Sequence, residues 1–162
     1  MKLKTIAVAT LALVLATVPR LALGGSVTYS DPDDFEIAPD VHFTTKTTFR
    51  SDQLGRRVRI GARGELGPRY RLRIFVDARG GDRADLVMAA TVRHLRLQSC
   101  AVRHLGGAAI DSHCDADPYR AWWGVARRDV DPDERIRWRI VALDGPGFNE
   151  VTDRAPDRGW YG

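Results

Sequence analysis

The amino-acid sequence predicts an all-β fold, an antiparallel β-sandwich of about eight or nine strands, with a closed β-barrel as the competing architecture. Three observations predict it. Four segments alternate apolar and polar residues with period two, clusters of Gly, Pro and Asp separate them, and no stretch carries a capped apolar stripe of helical period.

The chain opens on residues 1–4, which include Lys2 and Lys4, and continues with an uncharged apolar run at 5–19. Charge followed by an apolar run is the order of a secretory signal, and this run is shorter than the about 20 residues that span a bilayer. Ala22 and Gly24 suit the minus-three and minus-one positions of a cleavage site. The expected division is therefore a signal peptide at 1–24 and a single β-sandwich domain at 25–162. Arg20 lies beside the site and leaves an uncleaved anchor as the alternative. No later segment is apolar enough for a transmembrane span after cleavage. The expected localisation is secreted or extracellular, with cell-envelope association as a further option. Removing Lys2, Lys4 and Arg20 lowers the formal charge from +4 to +1, with 22 basic against 21 acidic side chains. Net charge thus gives no reason to expect a nucleic-acid partner.

The first long alternation sets Val41, Phe43, Thr45, Thr47 and Phe49 against His42, Thr44, Lys46, Thr48 and Arg50, and the more apolar set is read as the buried face. Next, Val58, Ile60, Ala62 and Leu66 alternate with Arg57, Arg59, Arg63 and Glu65. Tyr70, Leu72, Ile74 and Val76 alternate with Arg71, Arg73 and Asp77, and Ile136, Trp138 and Ile140 with Arg135, Arg137 and Arg139. Weaker strands are expected at 27–30, 86–91, 95–102, 108–114 and 121–126. The segment 83–95 also reads as a helix. Turns are expected at Gly67-Pro68, Gly80-Gly81-Asp82, Gly106-Gly107, Asp117-Pro118, Asp131-Pro132 and Gly145-Pro146-Gly147. The tetrapeptide Val-Arg-His-Leu occurs at 92–95 and 102–105 without similar flanks, so it is read as coincidence and not as a repeat.

Cys100 and Cys114 are the two cysteines, and in an oxidising compartment such a pair is expected to form a disulfide. It closes a loop of about 15 residues, worth about 3 kcal/mol by chain entropy. If Gly106 and Gly107 alone made a two-residue hairpin turn, Cys100 would face His113. A three-residue turn over Gly106 to Ala108 instead sets Cys100 opposite Cys114 and Arg103 opposite Asp111, so that register, or else a looser loop with the same cysteine contact, is expected. The competing reading is a zinc site drawn from Asp111, His113, Cys114, Asp115 and Asp117, which lacks a second cysteine pair.

Acids gather in connections: Asp31, Asp33, Asp34, Glu36 and Asp40 in one, Asp129, Asp131, Asp133 and Glu134 in another. Solvated turns account for this, because Asp bonds the backbone that follows it. The functional reading is a calcium ion held by Asp31 and Asp33 or by Asp129, Asp131 and Asp133, although the second group copies only the start of a calcium loop. No other cofactor is expected.

Arginines occupy outward strand positions. On neighbouring strands they would form a guanidinium lattice suited to phosphate or sulfate polymers, and acids folding over them would leave only a solvated face. Trp122 and Trp123 are adjacent in an expected strand and must point to opposite faces, one into the core and one outward, where an indole can hold a sugar ring. The candidate ligand-binding residues are therefore Trp122, Trp123, Arg59, Arg73 and Arg137. There is no Gly-x-Ser-x-Gly, no His-Glu-x-x-His and no phosphate-cradling loop, so no catalytic residue is assigned.

The acidic stretch Asp31-Pro32-Asp33-Asp34-Phe35-Glu36-Ile37, the arginine-rich strands, the cysteine hairpin, Arg137-Trp138-Arg139 and the ending Asp153-Arg154-Ala155-Pro156 together carry a resemblance. The chain is similar to small secreted bacterial proteins of uncharacterised function with carbohydrate-module-like β-sandwiches. The resemblance implies a fold and transfers no functional residue. The reading that follows is a secreted, noncatalytic binding or envelope-associated domain for an extracellular glycan or anionic cell-wall polymer. Its alternatives are a hydrolase centred on His113 with nearby aspartates, and a protein-binding domain.

Overall fold

The computed structural model describes residues 25–31, 38–51, 55–81, 83–130, 136–156 and 158–162. Among them the strands are, in order, β1 (Ser26–Ser30), β2 (Asp40–Ser51), β3 (Gly55–Glu65), β4 (Tyr70–Asp77), β5 (Leu86–Arg93) and β6 (Arg96–His104). There follow β7 (Ala109–Ile110), β8 (Ser112–Asp117), β9 (Arg120–Ala126), the one-turn helix α1 (Arg127–Val130), β10 (Arg137–Asp144) and β11 (Glu150–Ala155). They form a five-stranded sheet, β1-β2-β3-β9-β8, and a six-stranded sheet, β11-β10-β4-β5-β6-β7, with antiparallel pairing throughout. Neither sheet closes on itself, so the fold is a β-sandwich and not a barrel. Among the described residues no helix is long and apolar enough to cross a membrane.

The period-two pattern explains the core. Val58, Ile60 and Ala62 of β3 face Tyr70, Leu72, Ile74 and Val76 of β4 across the sandwich, joined by Trp123 and Val125 of β9, Leu86 and Met88 of β5, and Trp138 and Ile140 of β10. Full burial of each large apolar side chain contributes about 1.5–3 kcal/mol, and alternation gathers them all on two facing surfaces. The ambiguous stretch at 83–95 resolves as a strand, because Leu86, Met88 and Ala90 alternate inward while Val87 and Ala89 stay half-buried.

β2 reverses the face expected of it. A bulge between Val41 and Phe43 inserts one residue, and beyond it Thr44, Lys46 and Thr48 stand opposite the inward Ala62, Ile60 and Val58 of β3. Phe43, Thr45, Thr47 and Phe49 consequently point outward. One extra residue moves every later side chain to the other face. Gly64 makes the bulge possible, since a Cβ there would run into the backbone of Asp40 and approach His42 N to 2.9 Å. Buried Thr44 is satisfied: it donates to the Gly61 carbonyl (3.0 Å) and accepts from Trp138 Nε1–H (2.8 Å). The Lys46 ammonium lies 6.0 Å from the centre of the Trp138 ring.

The disulfide is present, but not within a hairpin. The turn after β6 spans Leu105 to Gly107, with His104 N–H donating to the Ala108 carbonyl (2.8 Å), and it pairs Val102 with Ile110 and Arg103 with Ala109. The expected pairing of Arg103 with Asp111 is therefore corrected. After Ile110 the chain crosses to the other sheet, where β8 pairs with β9. The Cys100–Cys114 bond, with Cα atoms 6.5 Å apart, staples β6 of one sheet to β8 of the other. β11 and α1 were not expected, because 150–155 carries little apolar alternation and 127–130 is a single turn.

Candidate ligand-binding face

The outward positions of β1, β2, β3, β9 and β8 follow from register and form one surface. Ser26, Thr47, Arg59, Gly124 and His113 make one row across it. Thr28, Thr45, Gly61, Trp122 and Asp115 make the next, and Ser30, Phe43, Arg63, Arg120 and Asp117 a third. On the β1–β2 side the hydroxyls of Ser26 and Thr47 (3.1 Å) and of Thr28 and Thr45 (3.0 Å) form a hydrogen-bonded ladder.

Trp122 sits in the middle of this surface because both of its potential crowding neighbours are glycines. Gly61 lies opposite it on β3, and its indole leans over Gly124. The indole is half-buried and not bare: the Arg59 guanidinium lies 4.3 Å from its centre and 5.4 Å from that of Phe49, and the His113 ring is 5.3 Å away. A guanidinium stacked on an indole gains cation–π attraction and is held in one orientation.

Beside Trp122 the third row borders a cavity of about 660 Å³, whose walls include Phe43, Tyr119, Arg63, Arg120, Glu65 and Thr45. Phe43 is 47% exposed because the bulge turned it out, and Tyr119 is 71% exposed at the tip of the β8–β9 turn. That turn is firmly built. Gly64 N–H donates to the Tyr119 carbonyl (3.0 Å), Leu66 N–H to the Pro118 carbonyl (2.9 Å), and the Tyr70 hydroxyl of the opposite sheet to the Asp117 carbonyl (2.8 Å). Burial against these acidic neighbours pushes the Tyr70 phenol well above its usual range, so it stays a donor. The Asp117 carboxylate accepts Tyr119 N–H (2.8 Å) and Arg120 Nε–H (2.8 Å). Burial alone would raise its pKa, but these donors and the Arg120 charge outweigh that and hold it below the usual range. Arg120 is thereby fixed at the rim.

The sequence-predicted residues do not share one site. Trp122 and Arg59 lie together on this face, whereas Trp123 is 0% exposed in the core and is withdrawn as a ligand residue. Arg73 and Arg137 belong to the six-stranded sheet, and Arg137 Nη2 donates to buried Asp77 (2.5 Å). Burial would raise Asp77, but the Arg137 guanidinium and the N–H groups of Arg79, Gly80 and Gly81 hold it low.

The metal candidates are likewise separated. Asp31 accepts the Tyr161 hydroxyl (2.7 Å), Asp129 is exposed on α1 with Arg128 3.6 Å away, and Asp33, Asp131 and Asp133 lie outside the described residues. Among the described residues no group of three His, Cys, Asp or Glu side chains is placed to hold an ion. His113 is exposed, and no hydrogen bond joins it to a carboxylate among those residues. Phe43 and Tyr119 were not singled out from sequence. The bulge that exposes Phe43 leaves its signal in Gly64, and Tyr119 follows directly on the predicted Asp117-Pro118 turn. No family model, curated protein or solved structure matches the chain.

Proposed function

We propose that the chain is an exported, noncatalytic domain that binds an extracellular glycan on the outer face of its five-stranded sheet. The observation that carries this reading is the cavity flanked by the exposed rings of Phe43 and Tyr119 and walled by Arg63, Arg120, Glu65 and Thr45. A sugar ring has apolar C–H faces that pack on aromatic rings and hydroxyls that both donate and accept, and this wall offers rings, donors and acceptors together. The groups are preorganised, Arg120 by Asp117 and the turn by Tyr70, which lowers the ordering cost of binding. The signal-like residues 1–24 and the disulfide support export to an oxidising, extracellular setting.

Affinity electrophoresis and calorimetry of the 25–162 domain against a panel of soluble neutral and acidic glycans test the reading. Binding is expected to at least one, with Phe43→Ala and Tyr119→Ala each weakening it about tenfold or more, the loss of roughly 1.4 kcal/mol typical of a stacked ring. Wild-type affinity in both variants would place the ligand elsewhere.

A further inference from the structure

The outer face of the six-stranded sheet carries a different chemistry. Arg71 and Arg73 of β4, Arg93 of β5, Arg103 of β6, Arg139 of β10 and Arg154 of β11 all project from it. None of these six forms an ion pair with a carboxylate among the described residues; Asp144 lies 3.8 Å from Arg69, and Asp77 is paired with Arg137.

Aromatic rings, not acids, lie against three of these cations. Arg71 and Arg93 each lie 4.9 Å from the centre of Phe148, and Arg139 lies 4.9 Å from Trp160 and 5.4 Å from Phe75. Phe148 is buried beneath them with Val141 and Leu143. Guanidiniums laid on rings keep their N–H edges free to pair with oxyanions, and gathering several without a counter-charge raises the local potential.

The arrangement suits a chain better than a single small anion. Arg71 and Arg73 are two residues apart on one strand, about 7 Å, and Arg154 is two strands from Arg73, about 10 Å. Beside them β5 and β6 carry the small side chains of Ala89, Ala101 and Ser99. Phe148 is buried and Phe75 lies under Arg139, so neither of these two rings is open to enter a bilayer or stack on a base.

We infer that this face binds an extracellular linear polyanion, a polymer with a phosphate or sulfate ester on each repeat. The site is independent of the glycan groove, from which the whole sandwich separates it. The test uses long-chain inorganic polyphosphate and dextran sulfate as probes, with vesicles of phosphatidylglycerol in a parallel arm. Wild-type protein is expected to bind both polymers, to release them as salt rises, and to prefer them to vesicles. Arg73→Glu/Arg139→Glu/Arg154→Glu should lose at least tenfold in affinity. The charge-matched Arg50→Glu/Arg56→Glu/Arg128→Glu, away from this face, should lose far less. Should the first triple variant fail to fold by circular dichroism, Arg73→Gln/Arg154→Gln serves in its place with a smaller loss in the same direction. Phe43→Ala should leave polymer binding intact, which separates this site from the groove. Equal losses in the two triple variants, a preference for vesicles, or polymer binding lost in Phe43→Ala would overturn the inference.

Discussion

Asp153 is an acid buried among acids. It is 1% exposed on β11, its Oδ2 accepts Val41 N–H (2.7 Å), and its Oδ1 has no hydrogen-bond partner among the described residues. Burial pushes its pKa up to about 6, the Val41 N–H opposes this, and the carboxylates of Asp31 and Asp40 add to it. Around it Asp31 accepts the Tyr161 hydroxyl, and Asp40 lies 3.0 Å from His42 Nε2. In the unfolded chain the group titrates near 3.9, so the folded state holds the proton more tightly. Its contribution to stability is complete below about pH 4 and is lost as pH rises through about 6, a change on the order of 2–3 kcal/mol. Asp77 and Asp117 act in the opposite sense, since their lowered values remove stability only as pH falls below the ordinary carboxylate range. Between pH 5 and 7.5 the Asp153 term should dominate among the three. Asp153→Asn keeps an acceptor for Val41 and removes the charge. The variant is expected to melt higher than wild type at pH 7.5 and to lose most of the slope between those values, as followed by thermal denaturation. Parallel pH profiles for the two proteins would refute this assignment.

At the scale of the element, legibility tracked how completely side-chain period alone decides the structure. β3, β4 and the stretch around β10 were read correctly because Val58, Ile60, Leu72, Ile74, Trp138 and Ile140 alternate with arginines and have one stable orientation. β2 was found, yet its face was inverted, since a bulge is a long-range fit between Val41–Phe43 and Gly64 that alternation cannot register. β11 carries Asp153 inward where an apolar residue would have announced a strand. The groove inherits these limits: Trp122 follows from its neighbour Trp123, but Phe43 depends on the bulge. The cysteine contact is as the sequence predicts, but the favoured hairpin register is not, because a sheet change after Ile110 looks in sequence like a continuing hairpin. That placement has a consequence. The bridge ties β6 to β8, which is the edge strand of its sheet, beside the backbone crossing from β7 to β8. Cys100→Ser/Cys114→Ser should therefore cost about 2–4 kcal/mol in denaturant unfolding, near the loop-closure value. Amide exchange should quicken first in β7 and β8 while β3 and β4 stay protected. A uniform rise in exchange across both sheets would show that the bridge supports the whole sandwich and not its edge.

For the whole molecule, the two outer faces matter together. The groove beside Phe43 and Tyr119 opens on the five-stranded sheet and the arginine face on the six-stranded one, so the packed core lies between the two proposed ligands. Sheets pack about 10 Å apart, and outward side chains on both sides bring the separation of ligands to roughly 20 Å. At physiological salt, charge interactions are screened over about 8 Å, so a polyanion on one face should neither repel nor recruit a ligand on the other. Trp123 and Trp138, both fully buried, belong to the core that separates the two faces. Under the two proposals, independent occupancy would let the domain hold a glycan and a polyanion at once. Calorimetry should accordingly give the same affinity for a groove-binding glycan, within about twofold, whether or not dextran sulfate saturates the arginine face, which bounds the coupling at roughly 0.4 kcal/mol. Sedimentation should show a ternary complex. Mutual exclusion of the two ligands would instead mean that both compete for one face, and Arg59, Arg63 and Arg120 around the groove would then be the guanidiniums that take the anion.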